Sequence, residues 1–192
     1  VIEDDISVVA LAGLGPARAA EIRSLIQDIP DYPHPPVVFR DIMPLLADGA
    51  ALADVTDAFA SLVEADGGVD VVAGMEARGF LLGAPLATRL GVGFVPLRKA
   101  GKLPPPVERE DYELEYGTAS IELRRGTLQP GARVLVVDDV LATGGTAEAA
   151  ARLVQRSGGT VVALAFLLEL AALGGRARLG DHTVETLLRV GT

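Results

Sequence analysis

The sequence predicts an α/β fold with a mainly parallel central sheet flanked by helices on both faces. Two observations predict it. Short runs rich in valine and leucine, bounded by glycine, read as strands buried on both sides rather than on one. Segments with helical periodicity stand between those runs, the alternation that a parallel sheet with crossover helices requires.

The elements follow in order. Ala19, Ile22, Leu25, Ile26 and Ile29 recur at helical spacing until Pro30, which predicts an amphipathic helix over residues 17–29, inside an N-terminal extension of residues 1–30. Pro33, Pro35 and Pro36 then force extended backbone. A second helix is expected over 51–64, followed by a strand at 69–73, a helix at 80–90 and strands at 93–97 and 133–137. A helix at 146–157 and a strand at 160–167 complete the series. Between 98 and 123 the pattern breaks into a Gly- and Pro-rich loop, then two alternating segments, 112–116 and 118–123, separated by Gly117. This reads as a flexible loop and hairpin inserted into the core, and long loops in compact domains are commonly functional. The charged stretch Glu108 to Asp111 reads as solvated. No composition shift divides the chain, so residues 1–192 are expected to be a single domain.

Composition excludes several kinds of chemistry. There is no cysteine, so disulfides, thiolate metal sites and a cysteine nucleophile are ruled out, and a reducing compartment is compatible. The two histidines, His34 and His182, are far apart and have no ligand-spaced partner, so any metal is expected to arrive with a substrate. The longest apolar run is strand-sized, which argues against a membrane span, and the acidic start does not resemble a secretory signal. The expectation is a cytoplasmic protein, with residues missing before Val1 because no initiator methionine is present. A net charge of −9 argues against nucleic acid as a partner, whereas a small anion needs only a local cation cluster.

The most informative stretch is Val134-Leu135-Val136-Val137-Asp138-Asp139-Val140-Leu141-Ala142-Thr143-Gly144-Gly145-Thr146. An apolar strand runs into paired acids and a glycine-containing turn at a helix start. A phosphate on Ala142, Thr143, Gly144, Gly145 and Thr146 would meet backbone N–H groups, the positive end of the helix and two hydroxyls. Asp138 and Asp139, at the carboxyl end of the strand, can accept hydrogen bonds from sugar hydroxyls. A tight turn with two solvated acids is the plainer alternative. The chain's only lysines, Lys99 and Lys102, fall with Arg98 in one short loop, which suits an anion that must enter, be covered and leave.

This stretch resembles the phosphoribosyl pyrophosphate (PRPP) signature of the type I phosphoribosyltransferases. Further segments extend the match: Pro36-Val37-Val38-Phe39-Arg40-Asp41-Ile42, Gly74-Met75-Glu76-Ala77-Arg78-Gly79-Phe80, Arg98 to Pro104, Leu114-Glu115-Tyr116-Gly117 and Leu168-Glu169-Leu170. In this order they resemble the adenine phosphoribosyltransferase family, from about Asp31 to Val190. The resemblance implies the type I phosphoribosyltransferase fold with a small hood, and a purine-salvage reaction in which adenine and PRPP give AMP and pyrophosphate. It implies that residues 142–146 hold the 5′-phosphate and that Asp138 and Asp139 hold the ribose hydroxyls. Arg78, Arg98, Lys99 and Lys102 would face the pyrophosphate, whose Mg²⁺ enters with PRPP. Val38, Phe39, Arg40 and Leu170 would line the adenine pocket, with Glu115 as catalytic partner of Arg78 and Tyr116 in loop closure. It also implies a homodimer and a cis peptide at Glu76–Ala77. Met43, where the family often has a small polar residue, and the run Pro104 to Pro106 are departures. A phosphoribosyltransferase for another purine, or a PRPP-sensing regulator, remain the alternatives.

Overall fold

The computed structural model describes residues 6–65, 67–113 and 117–191, with the side chain of Ala12 left aside. In chain order the elements are β1 (Ile6–Val8), α1 (Pro16–Ser24), β2 (Gln27–Pro30), β3 (Val38–Asp41), α2 (Met43–Ala47), α3 (Gly49–Ala65), β4 (Val71–Met75), α4 (Arg78–Leu90) and β5 (Gly93–Lys99). There follow β6 (Val107–Glu113), β7 (Thr118–Arg124), β8 (Arg133–Leu141), α5 (Gly145–Arg156), β9 (Thr160–Leu170), α6 (Gly175–Arg178) and β10 (Val184–Val190). The strands β1-β10-β9-β8-β4-β5-β7-β6 form one sheet, in that order. Its five central members, β10 through β5, pair in parallel, and the outer strands pair antiparallel.

Burial explains why the central strands read as continuous apolar runs. Every residue of β4 is buried, as are Val134 to Val137 of β8, because helices cover both faces. Alternate strand residues face two separate cores. Val72, Leu135 and Val137 pack with α1, α3 and α4 through Ile22, Phe59 and Leu82. Ala73, Val134, Val136 and Phe166 pack on the other face with Leu153 and Val154 of α5. Gly91, left-handed at φ 70°, ends α4 and lets the chain turn directly into β5.

Several boundaries differ from the expectation. The first helix stops at Ser24, and Gln27 to Pro30 instead pair antiparallel with β3 as a separate two-stranded hood. Ile29 keeps the helical spacing, but its strand partner Phe39 decides its conformation. The charged stretch at Glu108 is not a solvated loop: it lies in β6, and Glu110 accepts from Arg152 and Arg156 of α5. The strands β1 and β10 and the short helices α2 and α6 lie beyond the elements predicted.

Candidate active site

Strand β8 carries the acids further than the sequence pattern suggested, since both Asp138 and Asp139 lie within it. The Asp139 N–H donates to Asp138 Oδ1 at 2.9 Å. Burial, and then the charge of Asp139, push the Asp138 carboxyl well above the usual aspartate range. Asp139 is 4% exposed, and its Oδ2 lies 2.6 Å from Arg78 Nε. The approach is off the N–H direction, so Oδ2 is a buried acceptor with no hydrogen-bond donor among the described residues. Such an oxygen favours a donor brought by a ligand, because a buried acceptor left unpaired costs about 1–3 kcal/mol.

After β8 the chain turns through Ala142, Thr143 and Gly144 into α5. Gly144 is left-handed, at φ 82°, and a Cβ there would stand 2.7 Å from the Gly175 carbonyl oxygen, so only glycine fits. No side chain caps α5, which leaves its first N–H groups open to an anion. These residues, with Met75, Asp138, Thr146 and Phe166, line a cleft of about 340 Å³. The end of β6 abuts the same place, with the Glu113 carbonyl oxygen 3.5 Å from where a Gly145 Cβ would stand.

The turn from β4 to α4 forms the opposite wall. Its Glu76–Ala77 peptide is cis. The Glu76 carboxylate accepts the Lys99 N–H at 2.9 Å and the Arg98 fork at 3.3 Å, and the Arg98 hydrogen bonds hold it below the usual glutamate range despite burial. Arg78 opens α4, with its guanidinium carbon 5.1 Å from the centre of the Phe39 ring in the hood. Tyr32 meets Phe39 edge-on at 5.3 Å. The hood is tied by the Arg40–Asp28 ion pair.

The family model for the phosphoribosyl transferase domain matches residues 44–186. The adenine phosphoribosyltransferase of Kineococcus radiotolerans is 60% identical over 169 residues, covering 88% of this chain and 91% of that protein. The chain belongs to the adenine phosphoribosyltransferase family. The crystal structure of the family member from Thermoanaerobacter pseudethanolicus superposes with a TM-score of 0.85 at 47% identity, covering 89% of this chain and 99% of that one. The Saccharomyces cerevisiae adenine phosphoribosyltransferase, solved with D-2,5-dideoxy-2,5-imino-altritol 1,6-bisphosphate and adenine, superposes with a TM-score of 0.85 at 37% identity over 89% and 98% of the two chains.

In this adenine phosphoribosyltransferase family member the structure brings together Asp138, Asp139, Arg78, the turn 142–146 and Phe39. Leu170 ends β9, one residue beyond Glu169, which pairs in register with Leu141. Lys99 and Lys102 are exposed, but Arg98 and Lys99 end strand β5, paired with β7, and only Lys102 lies in the turn after it. Arg98 is engaged differently from expectation. Its guanidinium is held by Glu76 and by the Lys102 carbonyl, so it braces the Glu76–Ala77 turn. Glu115 and Tyr116 lie outside the described residues. The sequence reading passed over Gly79 and Gly175. A Cβ at Gly79 would stand 2.5 Å from the Val137 carbonyl oxygen, and one at Gly175 would stand 2.1 Å from that of Ala142. The Gly174-Gly175 pair after an apolar strand was the available signal for the second.

Proposed function

We propose that this chain transfers the phosphoribosyl group of PRPP to adenine, releasing pyrophosphate and forming AMP, as one catalytic unit. One observation carries the reading: the Arg78 guanidinium spans from Asp139 to the Phe39 ring. A sugar-hydroxyl site and a flat apolar wall for a base therefore lie within one side chain's width of each other, as joining a base to the anomeric carbon requires.

In this reading the 5′-phosphate sits on the turn 142–146, and Asp138 and Asp139 accept the ribose hydroxyls. The bond from the anomeric carbon to pyrophosphate breaks with its electron pair going to the leaving oxygen, and adenine N9 forms the new bond as its imidazole proton is lost. Arg78, Lys99 and Lys102 stabilise the departing charge. Ala142 cannot accept the proton, so Glu115 takes it or orients the base. Among the described residues no three or more of His, Cys, Asp and Glu gather for a metal. In this reading Mg²⁺ enters with PRPP, carried on that substrate's own phosphate oxygens. When bound, that ion neutralises pyrophosphate. The base is read by the backbone of β3, whose outer edge is free of the β2 ladder. Exposed Met43 on α2 and Leu81 on α4 support a homodimer, and the absence of any described helix able to span a membrane is consistent with cytoplasmic placement.

The test is pyrophosphate release with PRPP, Mg²⁺ and a panel of bases. Adenine offers a donor at its amino group and an acceptor at N1; hypoxanthine reverses both. Two mispaired groups at roughly 1–3 kcal/mol each give at least about a thirtyfold preference for adenine in kcat/KM. A ratio near unity would favour another purine.

A further inference from the structure

Glu169 is 3% exposed, yet it is a carboxylate at the end of an apolar strand, and none of the proposed chemistry uses it. Its partner is Arg176 of α6. Nε donates to both carboxylate oxygens at 3.1 and 3.2 Å, and Nη2 donates to Oε2 at 2.7 Å. The same guanidinium also donates to the Val184 carbonyl at 2.7 Å and to the Thr186 hydroxyl at 3.2 Å, and that hydroxyl donates to Glu169 Oε2 at 3.3 Å. A surface pair would be worth little, but this one has a buried member whose acceptors are all used.

The location gives the pair its meaning. The residue before Arg176 is Gly175, whose α-carbon lies so close to the Ala142 carbonyl that a Cβ would stand 2.1 Å from the oxygen. From the other side, a Cβ on Gly144 would stand 2.7 Å from the Gly175 carbonyl oxygen. Two backbones thus touch without side chains between them, and the turn 142–144 leans on Gly175. No strand ladder holds Gly175, which opens α6, and the next residue, Arg176, is tied to Glu169. Leu170, by contrast, is paired in β9 with Val190 of β10 and needs no such tie. Two residues further along, Arg178 donates to Glu148 in the first turn of α5 at 2.8 Å, adding a second tie to the same helix start.

We infer that Arg176 and Glu169 are positioning residues for the PRPP phosphate: their ion pair holds Gly175 as the backing on which the turn 142–144 is shaped. This rests on the proposed use of that turn for the 5′-phosphate. Breaking the pair lets the backing drift, and a displacement of about 1 Å at a binding turn costs up to about a hundredfold in productive use of the ligand. The base wall stays in place, so the loss is selective.

The experiment measures initial rates of the full chain with PRPP and adenine varied separately, for the parent, Arg176→Met, Arg176→Lys, Gly175→Ala and Arg89→Met. Arg89 pairs with Asp57 on an exposed helix face and serves as the control. The expected result is a KM for PRPP raised about tenfold or more in Arg176→Met and Gly175→Ala, with the KM for adenine changed less than about threefold. Arg176→Lys recovers part of the loss, and Arg89→Met matches the parent. A purely structural pair would lower the melting temperature of Arg176→Met and leave its KM for PRPP at the parent value, which overturns the inference. If Arg176→Met does not fold, Gly175→Ala decides: it keeps the ion pair, and a parental KM for PRPP there overturns the inference equally. A parent that forms no AMP at all refutes the proposed reaction instead, and is seen before any variant is compared.

Discussion

Replacing Gly79 with alanine tests how tightly α4 must lie against β8. The new Cβ would stand 2.5 Å from the Val137 carbonyl oxygen, 3.1 Å from Asp138 Oδ1 and 3.3 Å from Asp138 Cα. A carbon–oxygen contact relaxes at about 3.3 Å, so the two backbones must separate by about 0.8 Å. Overpacking of this kind costs about 1–3 kcal/mol, and the better helix propensity of alanine returns at most about 1 kcal/mol. The expected net loss of stability is therefore no more than about 3 kcal/mol, which a folded protein tolerates. Activity suffers more, because the displaced segments carry Arg78 on one side and Asp138 and Asp139 on the other. A shift near 1 Å at reacting groups lowers turnover by about a hundredfold. The assay pairs kcat/KM for PRPP with urea unfolding. Gly49→Ala, where a Cβ meets nothing within 4 Å, is the control and should match the parent or exceed it in stability. If Gly79→Ala kept kcat/KM within about threefold of the parent, close packing at this seam would not be what aligns the site.

Three further outcomes follow from named groups. Lys99→Ala should raise the KM for PRPP by about tenfold while leaving adenine affinity near the parent value, and equal KM values for PRPP would show that the lysine does not face the pyrophosphate. Arg78→Gln should lower kcat/KM by at least about a hundredfold, since it removes the cation beside Asp139, and steady-state rates within a factor of about ten would contradict this. Asp138 is protonated to higher pH in the fold than in the unfolded chain, so its contribution to stability is complete below the ordinary aspartate range and is lost as pH rises through the raised value. Asp138→Asn should therefore gain on the parent in urea midpoint as pH rises above the ordinary aspartate range, and parallel pH profiles would refute that sign.

Much of the parallel core was legible because burial on both faces leaves no polar alternation in β4 and β8, and glycines mark their ends. The phosphate turn was legible because Gly144 and Gly145 sit directly after an acid pair. The residues that fix its shape were not. Gly79 and Gly175 act through contacts with Val137 and Ala142, which are distant in sequence, and local pattern holds no trace of such approaches. The hood failed for a related reason: Ile29 satisfies helical spacing, and only the presence of β3 shows that it pairs as strand. Arg98 was legible as a cation near the site, but its commitment to Glu76 depends on the parallel register of β4 with β5.

The charges of β6 set where the sheet stops. This outermost strand presents Glu108, Arg109, Glu110 and Asp111 in succession, and each is engaged in an ion pair, with Arg125, Asp111, Arg152 and Arg109 respectively. A strand from another molecule arriving at this border would have to strip or neutralise those charges before any main-chain bond could form. At the far border the described part of β1 is three residues long, a short template for a partner strand. Growth of the sheet from one molecule into the next is thus opposed at the β6 rim.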